Sequence, residues 1–90
     1  MDDRKAEVEA TRKAVAAELR ARRAYRHITQ AELIKLSGIS QSAIERLETG
    51  KRDMDIAQLV TLARALGFDP AEFMTSVQKA LDAKDDQGKP

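Results

Sequence analysis

The chain has 90 residues, a formal net charge of +1 and no cysteine, which suits one small domain and excludes disulfide staples and thiolate metal sites. Its single histidine excludes a zinc site built from several, so no metal and no cofactor is expected. No apolar run approaches membrane-spanning length, and the start MDDRKAEVEA has no hydrophobic signal core, so a soluble, cytoplasmic protein without membrane contact is expected.

Ala, Leu, Glu, Lys, Arg and Gln are plentiful and favour helix, while Gly and Pro are few. The aromatic residues are Tyr25, Phe68 and Phe73, too few for the stacking platforms of single-strand nucleic-acid binders. Charge is unevenly spread. LRARRAYR is strongly basic, GKR adds a second basic point and LDAKDDQ is acidic, a weak pointer towards a polyanion since charge runs are usually solvated faces.

The first element runs from Asp2 to Ala24 without a helix breaker, with Val8, Val15 and Leu19 at helical spacing. Ala10, Ala14, Ala17, Ala21 and Ala24 form a small-residue stripe, and Ala17, Ala21 and Ala24 are expected to pack on the core. The earlier turns reach beyond a small core. They are left to fray, to pack on the C-terminal helix or to pair with a second chain.

Thr29 followed by Glu32 is a capping box, and Ile28 before it can act as a hydrophobic staple. The helix it starts, Gln30 to about Ser37, ends at Gly38, which is free to adopt a left-handed cap. Ser40 is the next N-cap. Ile44 and Leu47 give that helix an inward face, and Gly50 closes it. A polar loop, KRDMD, leads to a second capping box, Asp55 with Gln58. Ile56, Leu59, Val60, Leu62, Ala63 and Leu66 then form a broad apolar stripe ended by Gly67. Asp69 as N-cap, Pro70 in the first turn and Glu72 at the capping-box position start the last helix. Phe73, Val77 and Leu81 run down one face of it, and KDDQGKP reads as a disordered tail.

Two short helices joined by a Gly turn make a helix-turn-helix. The pattern TQAEL…SGIS…IERLETGKR…LVTLARALGFDPAEF resembles, in order and spacing, the Cro and lambda-repressor-like family, also called XRE-type regulators. The resemblance covers roughly Leu19 to Phe73. It implies an all-α, five-helix domain with extended N- and C-terminal helices. Residues 1–18 are an extension continuous with helix 1, 19–83 are the DNA-binding domain and 84–90 are the tail. It implies a double-stranded DNA operator in a bacterial cell or phage-infected host, with regulators of Cro or phage-repressor type commonly binding as dimers on a pseudo-palindrome; a monomer stays open.

In such a domain the second helix of the motif, about 40–49 here, enters the major groove by its N-terminal end. Gln41 then reads a base through its amide. Ser42 and Arg46 face DNA beside it, Arg46 towards guanine or a phosphate. Glu45 can accept from cytosine or repel wrong sequences. Gln30, Ser40, Thr49, Lys51 and Arg52 match positions that hold the phosphate backbone. Arg23 and Glu48 match a structural ion pair that orients the motif. The chain departs from the pattern twice. His27 stands where the family often has Gly, so helix 1 is expected to end without the usual left-handed cap. Ile34 stands where Ala is usual, and its bulk is expected to widen the packing of the two motif helices.

The same fold also serves antitoxins, which mask a toxin and regulate their own synthesis, and restriction-modification controller proteins. An antitoxin would hold a protein partner on its long N-terminal helix or on Phe73 to Leu81. An enzyme is disfavoured, because there is no Cys nucleophile, phosphate-binding Gly loop or carboxylate pair around a His.

Overall fold

The computed structural model describes residues 3–87, with side chains through residue 83, and among these the architecture is all-α. The elements are α1 (Asp3–Tyr25), α2 (Gln30–Ser37), α3 (Gln41–Glu48), α4 (Ile56–Leu66) and α5 (Pro70–Gln87). The tail expected from residue 84 begins as the last turn of α5. Residues 88–90 of that tail, with Met1 and Asp2, lie outside the described residues.

Local chemistry sets most of the helix ends. Thr29 accepts from the Glu32 N–H at 3.1 Å while the Thr29 N–H donates to the Glu32 carboxylate at 2.9 Å. Asp55 and Gln58 make the same reciprocal pair. Ser40 accepts from the Ala43 N–H, and each such cap contributes about 1 kcal/mol. Gly38 ends α2 at φ 73°, where a Cβ would meet no neighbour but the backbone itself would be strained. At α5 the box is incomplete, since Asp69 accepts from Ala71 two residues on and not from Glu72.

Helix α1 does end in a left-handed cap, against expectation. His27 adopts φ 56°, its N–H donates to the Ala24 carbonyl and the Ile28 N–H reaches back to the Arg23 carbonyl. These two bonds satisfy the orphan carbonyls as a glycine would, at the steric cost of a Cβ in that region.

The core is built around Leu19, Leu33, Ile44, Leu47, Leu62, Leu66, Phe73 and Val77, each almost fully buried. Helix α1 packs on α3 and α5, α2 on α3 and α4, and α4 on α5. The expectation for the alanine stripe of α1 fails. Ala17, Ala21 and Ala24 are exposed, because α1 turns the side carrying Ala16 and Leu19 inwards, and at 100° per residue the alanines lie on the far side. On α4, Leu59, Leu62, Ala63 and Leu66 are buried, whereas Ile56 is 75% exposed and Val60 remains in solvent. The stripe is broader than the core that receives it.

Residues 3–7 of α1 are exposed, and the helix meets the body of the domain by Arg12. Arg12 bonds Asp53 in the loop before α4 at 2.6 Å. The backbone of Arg12 and Lys13 passes so close to Gly50 that a Cβ there would sit 3.4 Å from it. At the other end, Phe68 and Phe73 stack with centroids 5.1 Å apart, and the Arg22 guanidinium lies 5.3 Å above the Phe68 ring.

Two measurements check this account. His27→Gly removes the strained Cβ and keeps both cap bonds, so urea unfolding is expected to show a gain of about 0.5–1 kcal/mol. The bond from Thr29 holds the Glu32 carboxyl below its usual value of 4.5. Its stabilising contribution is therefore present above that value and lost as the pH falls through the lowered one. Glu32→Gln keeps a capping-box acceptor without the titration, and is expected to flatten the acid limb of the stability profile.

Candidate nucleic-acid interface

Helices α2 and α3 are each eight residues long, too short to persist alone, so their relative pose comes from what they are fastened to. Ala43, Ile44, Leu47 and Glu48 form the buried face of α3. Gln41, Ser42, Glu45 and Arg46 are left on the exposed face. An amphipathic helix so short exposes one coherent polar strip, and here the strip starts at the N-terminal turn.

The buried face carries one charge. Glu48 is 4% exposed and closes α3 with a two-point contact from Arg23. Arg23 Nε donates to Oε2 at 2.7 Å and Nη2 to Oε1 at 2.9 Å, while Nη1 donates to the Ile28 carbonyl at 3.1 Å. All three guanidinium nitrogens are thereby engaged, and the Glu48 contact raises the Arg23 pKa despite desolvation. The pairing expected of Arg23 and Glu48 is present. Two further groups join it. Gln30 Nε2 donates to Glu48 Oε1 at 3.2 Å, and Arg20 donates to the Glu48 backbone carbonyl. Side chains from α1, α2 and α3 thus meet at one carboxylate.

The other residues singled out in the sequence lie in α2 or flank α3 in the chain. Ser40 and Lys51 are exposed and Arg52 is partly so. The Ser40 oxygen is used as a cap, which leaves its proton free to donate. Gln30 is half-buried, and its amide nitrogen spends one of its two hydrogens on Glu48 and keeps one. Thr49 is exposed but its hydroxyl donates to the Glu45 carbonyl at 2.8 Å, and its N–H donates to the same oxygen. A phosphate contact from Thr49 would require that hydroxyl bond to be released. Ile34 sits half-buried beside the core, and the turn after it closes normally, with the Gly38 N–H on the Ile34 carbonyl at 2.9 Å.

Arg20, Arg12 and Asp53 were not singled out by sequence reasoning. Arg20 precedes Arg23 by three residues, the spacing that puts both on one face of α1, and that was a usable signal. Asp53 had none, because its partner lies 41 residues away. Bonded to Arg12, and with Arg52 beside it, the Asp53 carboxyl is held below its usual range. Three of the four arginines in the basic run LRARRAYR are engaged within the domain. Arg20 and Arg23 serve the α3 terminus, and Arg22 bonds Glu18 at 2.7 Å and Ser76 at 3.3 Å.

The sequence profile of the helix-turn-helix domain family matches residues 14–74. The uncharacterised HTH-type transcriptional regulator y4dL of Sinorhizobium fredii (strain NBRC 101917 / NGR234) is 34% identical over 70 residues, or 73% of this chain. Those residues are 36% of that protein, so the chain spans about a third of its length. Among solved structures, the clp gene regulator ClgR of Corynebacterium glutamicum aligns with TM-score 0.79 at 27% identity, over 86% of this chain and 82% of that one. The restriction-modification controller protein C.AhdI of Aeromonas hydrophila aligns with TM-score 0.66 at 29% identity, over 69% of this chain and 94% of that one.

The carboxylate that joins three helices gives an asymmetric expectation. Arg23→Ala leaves Glu48 buried and without its cation, at a cost of about 3–5 kcal/mol. Glu48→Ala leaves a guanidinium already partly in solvent, and is expected to cost less. The double variant should be less damaged than Arg23→Ala alone. Urea unfolding of the three proteins checks the order, and equal losses for the two single variants would contradict it.

Proposed function

Because the chain belongs to the helix-turn-helix domain family, we propose that it is a sequence-specific transcriptional regulator that binds double-stranded DNA through α3 in the major groove. The observation that carries this reading is the division of α3. One face is fastened to the domain by Glu48 and three apolar residues, and the other offers Gln41, Ser42 and Arg46 from the N-terminal end. An α-helix fits the major groove, where each base pair shows a distinct set of donors and acceptors.

On this reading Gln41 reads a base and Ser42 and Arg46 lie against the same stretch of groove. Ser40, Gln30, Lys51 and Arg52 hold the flanking phosphates. These contacts fix register and supply salt-dependent affinity. Thr49 belongs to this group if its hydroxyl turns outwards on binding. The likenesses to y4dL, ClgR and C.AhdI, each named as a regulator or controller, support regulation as the role. The chain binds and does not catalyse.

The protein acts as a homodimer, placing two copies of α3 in half-sites about one DNA turn apart. Exposed Ile56, Val60 and Met74 supply apolar surface of the kind a second copy buries. Light scattering with and without a selected site reads the stoichiometry, and a monomer in both states would remove the palindrome.

Sequencing the survivors of a binding selection on random duplexes tests the reading as a whole. The expected outcome is a recurrent motif, and the absence of any preferred site would sink it. Lys51→Ala should weaken all sites alike and reduce the salt slope by about 1, whereas Gln41→Ala should relax base preference at one position of each half-site.

A further inference from the structure

Gln41 and Glu45 stand four residues apart on the exposed strip of α3, where side chains of neighbouring turns meet. Gln41 Nε2 lies 3.1 Å from Glu45 Oε1. A carboxylate can only accept, so the amide must turn its NH2 towards Glu45, and the carbonyl oxygen falls on the other side. Among the described residues Glu45 belongs to none of the ion pairs Arg12–Asp53, Arg22–Glu18 and Arg23–Glu48. The Glu45 carboxylate therefore has no cation partner drawing it away from Gln41. The Thr49 hydroxyl bonds the Glu45 backbone carbonyl and leaves the carboxylate to the amide.

We propose that Glu45 is a specificity-determining residue that acts through Gln41: by holding one amide hydrogen, it sets Gln41 to present one donor and one acceptor to the groove, and so selects adenine over guanine. This rests on the reading that α3 lies in the major groove with Gln41 at a base edge. A free glutamine amide has two N–H donors and one C=O. Guanine shows two acceptors in the major groove, N7 and O6, whereas adenine shows an acceptor, N7, and a donor, the N6 amino group. An amide with both hydrogens free can serve either base. One hydrogen committed to Glu45 leaves an N–H and a C=O, which match adenine and set an oxygen against O6 of guanine. The carboxylate adds negative charge beside the same edge, where guanine again offers only acceptors.

Charge and positioning can be separated by two substitutions at this exposed position. Glu45→Gln removes the charge and keeps a side-chain acceptor for the Gln41 N–H. Glu45→Ala removes both. The protein and its variants Gln41→Ala, Glu45→Gln and Glu45→Ala are each put through competitive selection on a duplex library randomised at the half-site. Thermal melting checks that each is folded. Gln41→Ala identifies the base pair that Gln41 reads. At that pair Glu45→Ala is expected to lower the adenine-to-guanine ratio about tenfold, with other positions unchanged. Glu45→Gln should retain most of the ratio while binding all duplexes more tightly.

A Glu45→Ala protein that keeps the full ratio, while Gln41→Ala loses it, overturns the proposal and leaves the base-reading role of Gln41 intact. A loss as large in Glu45→Gln as in Glu45→Ala also overturns it, because charge alone would then account for the preference. A Gln41→Ala protein with an unaltered base profile removes the premise, and the proposal with it.

Discussion

Everything the exposed strip of α3 can do depends on one carboxylate at the other end of that helix. Apolar contacts from Ile44 and Leu47 pull α3 onto the domain, but such contacts are non-directional and would tolerate rotation about the helix axis. The two-point Arg23–Glu48 contact tolerates much less, since a planar guanidinium meets a planar carboxylate along both of its oxygens. Burial makes the arrangement demanding. A carboxylate taken out of water must be matched by donors, and here they come from α1 and α2. Moving any of these helices leaves a donor or the acceptor unpaired. The pose of α3 is thereby a condition of satisfying Glu48.

Helix α1 has a corresponding role as a spine. Its C-terminal half carries the arginines that serve the α3 terminus and the Phe68 ring. Its N-terminal half fixes the loop that follows α3, through Arg12–Asp53 and the approach to Gly50. The end of α3 and the loop after it are therefore referred to the same helix. This also explains why a basic run is a poor guide to polyanion binding in this chain. Most of those cations have internal work, and the ones proposed to hold phosphates, Lys51 and Arg52, stand apart from the run.

What could be read from the sequence was what short-range chemistry determines. Thr29 with Glu32, Ser40, Gly38 and Asp55 with Gln58 each act within four residues, and all behave as their residue types predict. The Arg23–Glu48 pair spans 25 residues and was legible through family resemblance alone. Patterns that needed knowledge of a partner surface were misread. Period 3.6 describes the alanine stripe of α1 as well as the Leu19 side, and it does not say which faces inwards; the packing against α3 and α5 decides that. The apolar stripe of α4 is legible as a stripe, but the core has room for Leu59, Leu62 and Leu66 and not for Ile56. At His27 the intrinsic preference was read correctly and overruled, because two carbonyls of α1 needed donors more than the side chain needed an unstrained backbone.

The division of α3 along its length has a consequence for how such a chain can diversify. Eight residues of helix measure about 12 Å, and the anchoring carboxylate is the last of them. In the first turn Ala43 and Ile44 face the core, whereas Gln41 and Ser42 are exposed, and the Gln41–Glu45 bond is internal to the helix. With α3 in the groove as proposed, substitutions of Gln41 and Ser42 change base preference without unfolding the domain, since the groups that pose the helix are untouched. A lineage that duplicates such a chain can therefore change the address it reads in a few steps while inheriting the same frame.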